Sequence, residues 1–215
     1  MGIPREAGRT TYSTEIRNLK KRLTLSDYQR SFVIGSLLGD GCLVANWSKT
    51  NFSLQIAHSI KQESYILWKY QILKDWILSK PRYYERNNSI TIKTISHSEI
   101  TELAKLFYPK GKKIIPGNIN TLINDPIILA IWFMDDGNII KRNGRVYGYH
   151  LNTQSFSRVE NVILSRLLND KYGIENMLEL NHGRYRLRIM RKESRIKFQE
   201  IIGKYIVPEM KYKLG

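Results

Sequence analysis

Cysteine is almost missing from this sequence: Cys42 is the only one in 215 residues. That excludes an internal disulfide and any zinc site built on cysteines, and it reads as an intracellular protein. Long apolar runs are missing too. No stretch approaches the roughly 18 residues of a membrane span. The first twenty residues hold no apolar signal-peptide core, and Glu6 and Glu15 argue against an organellar transit sequence. A basic amphipathic helix with a bulky apolar face, as a membrane-surface binder would need, is not found. Acid is scarce beside base: 19 Asp and Glu against 35 Lys and Arg, a formal charge of +16. Such a charge opposes compaction by self-repulsion and points to a polyanionic partner, with nucleic acid first and an anionic membrane surface second. The histidines show no zinc spacing, and His58, His97 and His182 read as surface or turn residues. The aromatics, 11% of the chain, lie mostly at core spacing, which weighs against a single-strand stacking platform.

What is there is written twice. Phe32-Val-Ile-Gly-Ser-Leu-Leu-Gly-Asp-Gly41 and Leu129-Ala-Ile-Trp-Phe-Met-Asp-Asp-Gly137 are apolar segments ending in Asp-Gly, and aligning Asp40 with Asp136 sets a period of 96 residues. After Gly41 the pattern predicts two strands across Cys42 to Ser59, a helix over 62–78, a hairpin turning at Asn87-Asn88, and a helix over about 97–107. After Gly137 it predicts a hairpin at Asn143-Gly144, a helix over about 157–172, a hairpin turning at Asn181-His-Gly183, and a helix over about 194–203. The expected fold is α+β: two pseudo-twofold-related αββαββα halves, each with a four-stranded antiparallel sheet. The expected boundaries are a basic extended arm at 1–24, an N-terminal half at 25–107, a Pro- and Gly-bearing linker at 108–125, and a C-terminal half at 126–215.

The two Asp-Gly helices carry the chemistry. Ser26 with Gln29 forms a capping box for the first, and Asp125 with Pro126 starts the second. Gly35 and Gly39 cost helix stability, and close approach of another backbone is the reason to keep them. The partner expected is Leu129, Ala130 and Phe133 of the second helix, packed at the junction of the halves. A carboxylate at a helix C-terminus faces the negative end of the dipole. Two such acids brought together need a cation, and a divalent metal both answers the repulsion and suits phosphodiester hydrolysis.

Leu129-Ala-Ile-Trp-Phe-Met-Asp-Asp-Gly137 resembles the signature of the LAGLIDADG homing endonucleases, and Val33 to Gly41 resembles it more loosely. Leu151-Asn-Thr-Gln-Ser-Phe156 and Pro208-Glu-Met-Lys-Tyr-Lys-Leu214 strengthen the likeness to intron-encoded, single-chain members. The resemblance implies sheets forming a saddle over double-stranded DNA, a monomer, and Mg²⁺ (Mn²⁺ as substitute) held by the last acid of each motif. Carried over, those acids are Asp40 and Asp136, assisted by Lys113 and Lys213, which do not sit at equivalent offsets. Gly39 and Asp135, just before the two acids, complete the candidate metal set. Asp135 replaces the family's usual small residue, so a second ligand, a contact to the N-terminal half and a buried structural role all stay open, the structural one as default. The host compartment implied is a mitochondrion, a chloroplast or a bacterial or archaeal cytoplasm.

The strands supply candidate DNA contacts. Arg184, Arg186 and Arg188 alternate with Tyr185, Leu187 and Ile189, a row of cations that is self-repulsive without an anion. Arginine reads guanine, and Asn and Gln read adenine, in the major groove. His150, Asn152 and Gln154 are expected on one face, opposite Tyr147, Tyr149 and Leu151. Lys141 and Arg142 lead into the Asn-Gly turn, and Gln55 and Lys93 mark the first sheet. The leading expectation is a metal-dependent double-strand endonuclease with a long asymmetric site. The rival is a non-cutting binder on the same scaffold, an RNA maturase acting on an intron or a DNA-binding regulator.

Overall fold

Residues 14–215 are described here from a computed structural model. Helix α1 (Thr14–Arg22) leads into α2 (Asp27–Leu38), which Ser26 and Gln29 cap reciprocally. Then come β1 (Cys42–Ala45), β2 (Phe52–Ser59), α3 (Glu63–Ile72), β3 (Arg82–Tyr84), β4 (Ser89–Lys93) and α4 (Ser98–Phe107). A short α5 (Ile119–Leu122) interrupts the connection to α6 (Pro126–Asp136), where Asp125 is the N-cap and Pro126 opens the helix. The order then repeats as β5 (Gly137–Arg142), β6 (Arg145–Leu151), α7 (Arg158–Tyr172), β7 (Met177–Asn181), β8 (Arg184–Ile189) and α8 (Lys192–Ile202).

The two sheets are antiparallel and share one topology, β1-β2-β4-β3 and β5-β6-β8-β7. The hairpin turns follow their residues. Asn143 and Gly144 take φ of 51° and 74°, and His182 and Gly183 take 49° and 76°, the left-handed pairs that two-residue hairpins require. One face of each sheet is apolar: Leu54, Ile56, Ile90 and Ile92 in the first, Tyr149, Leu151, Leu187 and Ile189 in the second, all buried. Helices cover these faces, so the opposite faces are left to solvent. Among the described residues no helix is long and apolar enough to cross a membrane.

Helices α2 and α6 pack together between the halves. A Cβ on Gly35 would lie 2.9 Å from the Ile128 carbonyl oxygen and 2.9 Å from Ile131 Cβ. The close approach is therefore real, but its partners are Ile128 and Ile131, not Leu129, Ala130 and Phe133. Helix periodicity explains the shift: Ile128 and Ile131 are three apart on one stripe, while Phe133 packs against Tyr149 and Phe198.

Three other expectations change. The N-terminal segment is helical over Thr14–Arg22, because Ile16 buries against Leu78 and Ile95; the rest of the expected arm, 1–13, lies outside the described residues. Strand β6 ends at Leu151, so Asn152 and Gln154 lie beyond the strand rather than on its face. The β5–β6 register shifts between Ile140 and Lys141, opposite Gly148 and Val146, leaving Tyr147 as an unpaired bulge. Tyr147 therefore does not share the face of Tyr149: it is exposed, with the Arg142 guanidinium 4.4 Å from its ring centre, whereas Tyr149 is buried.

Candidate active site

Each central helix ends by turning its chain into the first strand of a sheet. In α2, Gly39 caps the end through its N–H to Gly35 and Ser36, and the Gly41 N–H closes on the Ser36 oxygen at 2.7 Å. In α6, the Gly137 N–H returns to Phe133. Asp40 and Asp136 sit on these two turns, at the electronegative ends of both helices.

Lysines answer that electrostatic problem. Lys113 Nζ donates to the Gly39 carbonyl at 2.9 Å. Lys213 Nζ donates to the Met134 carbonyl at 2.5 Å and to that of Asp135 at 3.2 Å. Gly39 and Asp135 are repeat-equivalent, 96 residues apart, so the two lysines do the same job. Their unequal sequence offsets mislead. Each arrives after the last helix of its half, through connections of different length: Lys113 follows α4, and Lys213 ends a 3-10 turn over Pro208–Lys213 that follows α8. Burial pushes both amines down from the usual lysine range, against the upward pull of Asp40, Asp135 and Asp136.

The acids are shifted the other way. Burial, then the charges of Asp40 and Asp135, pushes Asp136 up to about 7, against Lys113 and Lys213. Burial and Asp135 raise Asp40. Asp135 is unlike either. Its side chain is fully buried and points into the N-terminal half, where it accepts Lys69 Nζ at 2.6 Å and Tyr65 OH at 2.7 Å. Its other oxygen accepts the Asp40 N–H at 3.2 Å, which ties the two motifs together. Gly39 makes room: a Cβ there would lie 2.4 Å from Asp135 Cβ.

His58 completes the cluster, which corrects its reading as a surface residue. Its ring is 2% exposed, with Nδ1 3.4 Å from Asp40 Oδ2 and Nε2 3.9 Å from Asp135 Oδ1. Burial first, then Lys69, pushes His58 down to about 4, so the imidazole is neutral at pH 7 and these approaches are not ion pairs. Its Nε2 has no hydrogen-bond partner. One ligand atom each from Asp40, His58 and Asp135 falls within 4.8 Å of the others, a grouping of metal-binding type. Lys69 and Tyr65 already occupy the Asp135 oxygen nearest His58, which leaves that carboxylate less free for an ion than Asp40. Burial and the nearby Asp40 and Asp135 raise Asp136, a penalty on its charged form that a bound divalent cation would offset.

The sheet faces place the remaining candidates. Gln55 and Lys93 are direct cross-strand partners on β2 and β4. Lys141 and Arg142 end β5 beside the turn. Arg184 is exposed, but Arg186 and Arg188 are held by Glu179 of β7, at 2.6 and 2.9 Å. The anion expected for that arginine row is thus supplied partly from within the sheet. His150 Nε2 lies 3.0 Å from the same carboxylate, and Asn152 donates to Asn138 at 3.0 Å. His97, also read as a surface residue, is buried: it caps α4 and its Nε2 sits 2.8 Å from the Lys20 carbonyl. His182 is in the turn, as expected.

Sequence reasoning missed His58, Tyr65, Lys69 and Glu179 as site residues. A signal existed for three of them. His58 falls on the inward phase of β2, after Leu54 and Ile56, and Lys69 follows Tyr65 by one helical turn on the buried stripe of α3. A charged group in such a phase needs a buried partner.

Residues 30–197 match the LAGLIDADG DNA endonuclease family. A probable intron-encoded endonuclease 1 of Wickerhamomyces canadensis is 31% identical over 209 residues, 93% of this chain and 89% of that protein. A RecA protein of Mycolicibacterium flavescens is 30% identical over 207 residues, 88% of this chain but only 47% of that protein, so this chain spans about half its length. Among solved structures, the homing endonuclease I-WcaI bound to its DNA recognition sequence matches with a TM-score of 0.87 at 29% identity, over 97% of this chain and 96% of that one.

Proposed function

This chain belongs to the LAGLIDADG DNA endonuclease family, and from that premise we propose that it is a divalent-metal-dependent, sequence-specific endonuclease cutting both strands of DNA at a long asymmetric site. The observation that carries the reading is a repeated arrangement: Lys113 on the Gly39 carbonyl and Lys213 on the Asp135 carbonyl, each just before an acid at the end of a central helix, with both ammonium charges acting on both Asp40 and Asp136. Asp40 and Asp136 would hold Mg²⁺, with Mn²⁺ as substitute, and the ion would acidify a water and neutralise charge on the scissile phosphates.

The chain's own residues do the rest. Lys113 and Lys213 cancel the carbonyl charge at each helix end and set an ammonium beside each acid, where it offsets charge on a phosphate oxygen. Neutral His58 fills the space beside Asp40 without competing with a cation by charge. Asp135, bound by Lys69 and Tyr65, fixes the Asp40 backbone and so the separation of the two acids. The solvent faces of the sheets take the duplex, through Gln55 and Lys93 in one half and Lys141, Arg142, His150, Arg184, Arg186 and Arg188 in the other, with Asn152 and Gln154 reaching it from beyond the end of β6. The likeness to I-WcaI, solved bound to its DNA recognition sequence, supports DNA as the ligand. Two unlike halves in one chain fit a monomer reading a site without twofold symmetry.

The test is cleavage of a randomised duplex library by wild type and Asp136→Asn, with Mg²⁺ and with EDTA. Cutting at one long site, dependent on metal and lost in the variant while binding persists, is the expected result. Tight binding with no cutting under any divalent metal would overturn the nuclease reading in favour of a non-cutting binder, and RNA would be the next ligand tested.

A further inference from the structure

The N-terminal sheet has a wall that the C-terminal sheet lacks. Helix α1 is pinned at its apolar side by Ile16 against Leu78 and Ile95, with Leu19 and Leu23 alongside. Lys20 Nζ donates to Ser96 Oγ at 3.2 Å, and the Lys20 carbonyl meets His97 Nε2 at 2.8 Å. With Ile16 turned inward, Arg17 and Lys20 line a cavity of about 610 Å³ over the solvent face of the sheet, facing Gln55, Arg82 and Lys93. Trp47, 92% exposed on the β1–β2 loop, forms part of the rim. Among the described residues, four cations line this cavity and no acid does. Cations gathered this way around open space call for an anion with several charges. In the C-terminal half the corresponding lead-in is α5, Ile-Asn-Thr-Leu, which carries no cation.

The location of the wall fixes what it can touch. Asp40 lies beside His58, near the end of β2. Helix α1 lies at the opposite end, where the His97 N–H bonds the Phe52 carbonyl at the start of β2. Six residues separate Phe52 from His58, about 20 Å at roughly 3.3 Å per residue. For a duplex whose axis runs along β2, that is about six base pairs, at about 3.4 Å per step on one strand.

We propose that α1 is a phosphate-binding wall: Arg17 and Lys20, with Arg82 and Lys93 across the cavity, grip the sugar–phosphate backbone of double-stranded DNA about six base pairs outward from the cut, on the N-terminal side only. This rests on the proposed DNA-binding function and adds a one-sided flank contact to it.

The experiment uses the full chain on its own cleavage-site duplex. Hydroxyl-radical footprints and the salt dependence of Kd are compared for wild type, Arg17→Ala, Arg82→Ala and, as a charge-matched control, Lys105→Ala on α4. Arg17 is exposed, so its loss does not threaten the fold. Each loss of a wall cation is expected to reduce the slope of log K against log salt by about 0.9 and to weaken binding roughly tenfold near 0.1 M salt. Protection should vanish about six base pairs from the cut on one side, with the other side intact. Slopes and footprints matching Lys105→Ala would overturn the wall, as would equal loss of protection on both sides. Failure of the wild type itself to bind any duplex would instead overturn the underlying function, and the wild-type titration shows this separately.

Discussion

The two halves share their arrangement of acid and lysine and differ in what lies beneath it. Each offers one carboxylate on a helix-ending turn and one lysine on the carbonyl before it. The difference is at the residue before the acid: Gly39 in one half, Asp135 in the other. Asp135 crosses into the N-terminal half and is received by Tyr65 and Lys69, beside His58. The N-caps Gln62 and Ser157 align α3 with α7, 95 residues apart, so Tyr65 and Lys69 correspond to Glu160 and Leu164. Glu160 faces elsewhere, accepting the Ser157 and Ile115 N–H groups. The junction is tight enough for one such side chain, because a second Cβ at Gly39 would collide with Asp135. Symmetry in the reacting groups thus coexists with a one-way lock between the halves. The sheets differ in the same spirit. By strand register Arg82 stands where the second sheet has Glu179, so one face stays cationic while the other neutralises two of its arginines.

The largest expected effect comes from breaking the lock. Lys69→Met leaves Asp135 buried without its cation and is expected to cost about 3–5 kcal/mol, read from urea denaturation. Next is the pH dependence of the C-terminal acid. Asp136 has a folded pKa of about 7, above its ordinary 3.8, so the folded state holds the proton more tightly. In EDTA, stability should fall as pH rises from about 4 to about 7 and stay low above that. Asp136→Asn removes this loss, so the variant should cleave nothing yet be the more stable protein above pH 7, by at most about 4 kcal/mol, with the two alike below pH 4. Equal stability at pH 8 in EDTA would contradict the shift. Gly35→Ala drives a methyl against Ile128 and Ile131 and should cost about 1–3 kcal/mol by thermal or urea unfolding, with the two halves loosened together. The smallest effect is at the second sheet. Glu179→Gln frees Arg186 and Arg188 and should change stability by under about 1 kcal/mol. It should steepen the salt dependence of DNA binding, and an unchanged slope would mean that those arginines do not reach phosphate.

Much of this was legible from pattern. The period fixed by Asp40 and Asp136 places both sheets and both central helices, because hydrophobic phase and turn residues agree in each half. Side-chain traffic between distant segments was not. Asp135 could be seen as an oddity in its motif, but its receptors are on α3, some 66 and 70 residues away, and no local rule links them. The bulge at Tyr147 was hidden because alternation assumes an unbroken register, and one inserted residue reverses the faces. The lysines were found by resemblance, since their equivalence arises in three dimensions through connections of unequal length. Ile16 is a single apolar residue in a basic segment, too weak a pattern to predict that α1 would be pinned to the first half.

A double-mutant cycle on Asp135 and Lys69 tests the one-way lock most directly. Urea denaturation of Asp135→Ala, Lys69→Met and the double variant separates each loss from their coupling. The lock predicts two costly single changes and a double variant far more stable than their sum, with a coupling of about 2–3 kcal/mol, because removing both charges leaves none stranded. Additive losses, with no recovery in the double variant, would contradict it.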